Sequence, residues 1–373
     1  MAHAYTPGLK VTERTKVKKE RRLPLAGDVL VSIGQKLTGQ DIVARTALPG
    51  NVTTLNVAGL LGVPAEDILG MMLKKVGDAV EKDEIIAQSK GFFGLFKSAV
   101  HSPIKGTIES ISEITGQMIL REPPQPVEVT AYIDGEVTEV FPEEGVLIET
   151  IASMVQGIFG IGGETRGELL TVVNSPDQVL TAKEIDEKCK GKIVIGGSLC
   201  ESSALEKAKS VGAKGIVAGG VEDESLKKFL GYDIGVAITG SEKTGVTLVV
   251  TEGFGRMRMA NHAFNLLKSL NGKTASMNGA TQIRAGVIRP EVIVPCDDKK
   301  TDIKSSSREG GLEIDTTIRI IRQPFFGLLG KVVALPVELQ LIETESKVRV
   351  LEVELENGQR VTLPRANVEI IES

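Results

Sequence analysis

Two stretches near the N-terminus carry the same pattern of apolar and polar positions. Residues 27–46 (GDVLVSIGQKLTGQDIVART) and 70–89 (GMMLKKVGDAVEKDEIIAQS) each run through apolar residues to a glycine, Gly34 or Gly77. Each then reaches an apolar residue three places on and ends with a polar turn and an apolar–Ala pair. The segments 101–111 (HSPIKGTIESI) and 132–150 (YIDGEVTEVFPEEGVLIET) answer them with the same theme. Short alternating runs of Val, Ile and Leu broken by turn glycines predict half-buried strands, with Gly34 and Gly77 at turns that need positive φ. A small β-barrel is the expected product, within a region spanning residues 24–173.

From residue 174 to 296 the rhythm changes to strands alternating with helices. KIVIGGS (192–198) and KGIVAGG predict two strands, GVAITG (235–240) and VTLVVTEG (246–253) two more. SALEKAKSVGA predicts a helix with Ser203 and Glu206 as a capping box and Gly212 as its stop, and EDESLKKFLG a short one ending at Gly231. A longer helix is expected over 256–271, with Ala260, Ala263, Phe264, Leu267 and Leu270 on one face. Val/Ile runs separated by helices predict a largely parallel sheet. Residues 278–295 read as a hairpin or extended pair, and 297–311 as a polar linker. In 312–373 alternating strands flank Asn357-Gly358, a pair suited to a type I′ turn, and predict a compact β-barrel. The fold class is therefore multidomain α+β, with residues 1–23 as a basic arm or edge strand, an N-terminal barrel, a central α/β domain and a C-terminal β-module.

Composition narrows the functional classes. With 373 residues and 41% hydrophobic content the chain can bury several cores. No apolar run approaches the roughly 20 residues of a membrane span, and no signal-peptide core is visible, so a cytoplasmic location away from membranes is expected. Cys189, Cys200 and Cys296 are too widely spaced for a disulfide framework or a zinc cluster, and His3, His101 and His262 lack partners at ligand spacing. No metal or cofactor is expected. The net charge of −5 implies no general attraction to nucleic acid. Charge is uneven, however. Lys10, Arg14, Lys16, Lys18, Lys19, Arg21 and Arg22 crowd one segment, as a phosphate-binding arm or as an edge strand whose lysines discourage pairing.

Candidate sites are few. The glycine-rich stretch 154–173 contains Gly162 and Gly163, but Thr165 stands where a dinucleotide fingerprint needs glycine, and ELLTVV reads as a strand rather than a helix. Backbone amides there, with Arg166, are the expected place for a small anion. A second candidate set lies at the strand ends of the α/β region: Gly196, Gly197, Ser198, Gly219, Gly220, Thr239 and Gly240. Phe92, Phe93 and Phe96 in one glycine-bounded turn, with Phe325 and Phe326 in another, are candidate interface residues.

Three resemblances follow from these residues. The Gly34 and Gly77 repeats resemble the barrel-sandwich hybrid of biotinyl and lipoyl domains, especially the N-terminal form in RnfC-type electron-transport subunits. That likeness would place a prosthetic group on a hairpin-tip lysine, here Lys90 or Lys97, yet neither has the Met-Lys-Met or Asp-Lys context. GKIVIGG and GAKGIVAGG resemble swivelling β/β/α and protease-associated domains, whose phosphocarrier form needs a catalytic histidine, whereas His262 sits in an amphipathic helix. Gly327, Gly330 and Val332 resemble a KOW motif in an SH3-like barrel, which implies RNA or polymerase contacts. Residues 318–370 hold seven basic and seven acidic residues, a balance unlike a phosphate-binding surface. The combined expectation is a non-catalytic cytoplasmic adaptor with a protein partner or a second copy. Its alternatives are an enzyme subunit holding a small anion between the α/β domain and the barrel through Arg166, Arg256, Arg258 and Arg284, and an RNA- or transcription-associated protein.

Overall fold

The strands Val11–Arg22 and Gly145–Gln156 pair antiparallel along nearly their whole lengths, from Arg22 opposite Gly145 to Val11 opposite Val155. Val11 and Val17 are buried. Four basic residues of the first strand are met by the chain's own carboxylates. Lys16 and Lys18 hold Glu149 at 2.8 and 2.6 Å, Lys19 holds Glu291 at 2.5 Å, and Arg21 holds Glu164 at 2.6 Å. On its other edge Gly145–Gln156 pairs first with Gly135–Phe141 and then with Glu291–Pro295. One strand thus belongs to a half-barrel at its start and to the central sheet at its end. This computed structural model describes residues 9–89, 98–232, 244–281, 288–296, 312–320, 324–325, 328–341, 347–355 and 357–370.

The protein is multidomain and strand-rich, with a mixed sheet and a half-barrel sheet. The mixed sheet has a parallel centre of Glu164–Thr171, Lys192–Ile195, Gly215–Val221 and Thr247–Phe254. It departs from the largely parallel expectation at its flanks. Phe159–Ile161 runs antiparallel to Thr247–Phe254, and Thr274–Asn278 antiparallel to Glu164–Thr171. For Thr274–Asn278 the reason is local: after the helix Asn261–Ser269 a tight turn through Gly272, at φ +83°, returns the chain without a crossover. The anticipated strand 235–240 lies outside the described residues.

Two helix starts differ from the pattern. The first helix of the α/β region is Ser202–Val211, and Ser203 makes no capping box, because Leu180 O accepts from Glu201 N and Glu201 takes the N-cap place two positions early. Ser203 Oγ donates to Glu201 Oε2 instead. The last helix begins only at Asn261, because residues 255–259 are held as irregular chain, with Met257 N donating to Ser198 O.

The half-barrel contains a second copy of itself. In the outer copy Gly34 N donates to Val137 O and Val137 N to Gln35 O; in the inner copy Gly77 N donates to Ile108 O and Ile108 N to Asp78 O. Both glycines have positive φ, +82° and +92°. Thr38 N and Glu81 N are bound by the carboxylates of Asp41 and Glu84, three residues on in each case. Ladder irregularities recur at matching points: Val129/Thr130 and Ile85/Ala87, then Val137/Glu139 and Ile119/Leu120. Buried side chains match too: Leu37 with Val80, Val43 with Ile86, Ala44 with Ala87, Val137 with Ile108 and Ile148 with Leu120.

The copies are nested. The inner hairpin pairs Ile85–Gln88 with Ala99–His101, and the outer pairs Ile42–Leu48 with Gln125–Thr130. The whole inner copy occupies the place of the outer hairpin's tip. It keeps its own core, made of residues between Val57 and Leu120, while the outer core draws on Val17, Leu37, Val43, Val137, Ile148 and Ile293. The neck between them is two strands wide. Glu122 N donates to Asn51 O at 2.9 Å, and a Cβ on Gly50 would stand 1.9 Å from Glu122 O.

The C-terminal module is a six-stranded antiparallel sheet with its own core, including Ile318, Ile320, Val332, Leu351 and Val353. Its hairpin does not use a type I′ turn. Gly358 alone takes positive φ (+82°) while Asn357 does not, and Gly358 N donates to Leu355 O, which gives a longer loop closed by a left-handed glycine. Among the described residues no helix is long and apolar enough to cross a membrane.

Leu48 and Gln125 are direct cross-strand partners. Replacing residues 49–124 by Asn-Gly should therefore leave an ordinary hairpin. The shortened protein is predicted to fold and to keep its melting temperature within about 4 °C, the shift that roughly 1 kcal/mol makes in a protein of this size. Circular dichroism melts check this.

Candidate functional site

The glycines of the α/β region are sites of close backbone approach. A Cβ on Gly197 would lie 2.2 Å from Gln178 O, on Gly219 2.1 Å from Met257 O, and on Gly220 2.0 Å from Gly255 O. Gly196 packs on Leu180, and Ser198 Oγ donates to Asp177 O at 2.7 Å. The space beyond these strand ends, where open α/β sheets bind ligands, is filled by the chain's own segments 175–178 and 255–259. Thr239 and Gly240 lie outside the described residues.

Gly162, at φ +81°, turns the chain from Phe159–Ile161 into Glu164–Thr171, and Gly163 O accepts from Thr247 Oγ1 at 3.0 Å. Arg166 projects instead toward the half-barrel, where its Nη1 lies 2.6 Å from Asp134 Oδ1. Burial acts to raise the Asp134 carboxyl, but the Arg166 hydrogen bond and the Gly39 N–H outweigh it and hold it below the usual range. Arg258 pairs with Asp177 at 2.9 Å and binds Asn261. Arg256 is exposed, and Arg284 lies outside the described residues. The structure therefore does not bring Arg166, Arg256 and Arg258 together around an anion.

The nested copies share a surface feature. Leu30, Ile33 and Ile42 of the outer copy are 45, 67 and 38% exposed, and their counterparts Leu73, Val76 and Ile85 are 59, 57 and 39% exposed. Leu30 N donates to Val43 O and Leu73 N to Ile86 O, both at 2.9 Å, so each leucine lies across from a residue adjoining the exposed isoleucine. Neighbouring positions do not keep their chemistry: Val31 corresponds to Lys74, Gln35 to Asp78, Thr38 to Glu81 and Arg45 to Gln88. Three equivalent positions of the two copies thus carry solvent-exposed aliphatics amid substitution around them. The repeat frame contained these residues, but it does not distinguish the outward positions from the inward ones.

The inner triad adjoins the hairpin of Ile85–Gln88 and Ala99–His101. Ser89 N donates to Ser98 O and Ser98 N to Ser89 Oγ, both at 2.9 Å, closing the stem. Lys90, Phe92, Phe93, Phe96, Lys97 and Phe326 lie outside the described residues. Phe325 is half-buried and packs against its own module's core.

A buried ionic cluster fastens the C-terminal module to the central sheet. Arg319, only 2% exposed, donates from Nε to Glu369 Oε1 at 2.5 Å and from Nη1 to Glu252 Oε2 at 2.7 Å and to Thr251 O at 3.2 Å. Glu252 Oε1 also accepts from Ala260 N at 2.9 Å. The sequence offers no sign of this cluster, because its members lie far apart and only the docking of two modules joins them. No known protein family matches the chain, and no curated protein is detectably similar to it.

Arg319→Met leaves two buried carboxylates without their partner and is predicted to cost about 3–5 kcal/mol in urea unfolding. Adding Glu252→Gln and Glu369→Gln should recover most of it. For Asp134, a lowered folded-state pKa gives stability that is full above the ordinary carboxylate value of about 3.9 and lost as pH falls through the folded value. Arg166→Gln should thus be less stable than wild type at pH 7, and the gap in urea midpoints should narrow at pH 3.

Proposed function

We propose that the chain is a non-catalytic cytoplasmic adaptor that binds a protein partner, or a second copy of itself, through the nested half-barrels. The observation that carries this reading is the pair of equivalent exposed triads, Leu30/Ile33/Ile42 and Leu73/Val76/Ile85. The inner copy stands on a two-stranded neck with a separate core, which suits a projecting contact arm. On this reading each copy is a barrel-sandwich hybrid used for binding rather than as a prosthetic-group carrier, and the C-terminal sheet is an SH3-like module. Three free, widely spaced cysteines accord with a reducing compartment. Burial of Arg319 removes one of the C-terminal module's cations from its surface, which weighs against an RNA-binding role.

Burying one such aliphatic side chain is worth about 1.5–3 kcal/mol. The triple variant Leu73→Ser, Val76→Ser, Ile85→Ser is therefore predicted to lose at least tenfold in partner recovery, or to shift to a smaller species in light scattering, with an unchanged melting temperature. Unchanged assembly and unchanged partner recovery in a folded triple variant would remove the basis of the adaptor reading.

A further inference from the structure

The strand Val52–Asn56 forms one edge of the inner half-barrel's four-stranded sheet, which continues through Gln117–Arg121 and Gly106–Ile111 to Ala79–Val80. We propose that this edge pairs antiparallel with the same edge of a second chain, across a two-fold axis at Thr54. The backbone on that edge is turned to receive a strand. Glu122 N donates to Asn51 O, which makes Asn51 and Glu122 a hydrogen-bonded pair of the antiparallel ladder. Such pairs alternate, so Thr53 and Leu55 direct their backbone groups to Leu120 and Met118, while Val52 and Thr54 direct theirs to the open side. Among the described residues Gln117–Arg121 is the one strand paired with Val52–Asn56.

Charge identifies the occupant. In the outer half-barrel the equivalent edge strand is Val11–Arg22, since Ile148 pairs with Lys19 as its counterpart Leu120 pairs with Thr53. That edge carries Lys16, Lys18, Lys19, Arg21 and Arg22, and a two-fold pairing of it would crowd cations against cations. Other long edges among the described residues are protected too, by Pro126 and Glu128 in Gln125–Thr130 and by Arg360 and Pro364 in Arg360–Pro364. Val52–Asn56, of sequence VTTLN, has neither charge nor proline. It meets its own kind without opposing like charges, and it offers no charge pattern by which a foreign strand would be selected.

The strand also fits itself side chain by side chain. With the axis at Thr54, Thr54 lies across from Thr54, Thr53 from Leu55 and Val52 from Asn56. Threonine across from threonine is a favourable cross-strand pair. Val52, Thr54 and Asn56 are exposed, and Val57 and Leu61 of the helix that follows are buried in the inner half-barrel's own core. The surface is separate from the exposed triads, because Val76 leads into Ala79–Val80 at the opposite edge of the sheet. The proposal therefore does not rest on the adaptor reading.

The test is sedimentation velocity of the full chain over a concentration series. The wild type should dimerise, and Thr54→Lys and Thr54→Glu should each weaken the dimer several-fold, because like charges then face each other across the axis. An equimolar mixture of the two variants should restore it. A wild type that stays monomeric at millimolar concentration overturns the proposal, and if Thr54→Lys then loses a protein recovered from lysate, the edge belongs to a foreign strand. A dimer that survives Thr54→Lys, or a mixture that restores nothing, also overturns it. A dimer lost in Leu73→Ser, Val76→Ser, Ile85→Ser but kept in Thr54→Lys belongs to the triads and sinks this proposal alone. Hydrogen exchange needs no variant: the amides of Val52 and Thr54 should exchange more slowly as wild-type concentration rises, and unchanged exchange counts against edge pairing even if a charged variant fails to fold.

Discussion

Gly145–Gln156 is the strand on which the other elements depend, because its two halves answer to different cores. Its first half carries Val146 and Ile148 into the half-barrel, and its second carries Val155 into the central α/β core. A strand rises about 3.3 Å per residue, so twelve residues are long enough to serve both. Val11–Arg22 runs beside it and fastens the joint with ion pairs to Glu149, Glu164 and Glu291, which come from three different strands. Single exposed pairs of this kind contribute little. Their value here lies in fixing register across a seam, since a one-residue slip would turn every buried valine outward.

The nesting of one half-barrel in another follows from where each copy can tolerate interruption. A hairpin tip is solvated and its ends lie side by side, so an inserted unit whose own ends meet at a narrow neck strains neither. Gly50 makes the neck possible, because any side chain there would collide with Glu122 O. The inner copy keeps a core separate from the outer one, and Leu73, Val76 and Ile85 on it face solvent.

The C-terminal module is held differently. Arg319, Glu252 and Glu369 are buried together, a costly arrangement that contributes less net stability than an apolar contact of equal size would. What it supplies is orientation, since guanidinium and carboxylate must meet at defined angles. A cavity of about 240 Å³, with Arg319 and Glu252 among its lining residues, lies beside the cluster.

Local pattern alone was enough for the repeats, the turn glycines, the helix stop at Gly212 and the alternation of the last module, because each rests on residues close in sequence and on backbone preferences that act within a few positions. The frame shared by 27–46 and 70–89 showed a duplication. That one copy sits inside the other's hairpin was decided by the pairing of Leu48 with Gln125, across 76 intervening residues. Which aliphatics of the frame face water, where residues 255–259 lie against Gly219 and Gly220, and what Arg319 meets were likewise settled only by packing. Charge in the sequence was equally ambiguous. The basic run from Lys10 to Arg22 reads as an arm until Glu149, Glu164 and Glu291 are brought beside it, and a glycine reads as a phosphate cradle until a neighbouring carbonyl fills the space above it.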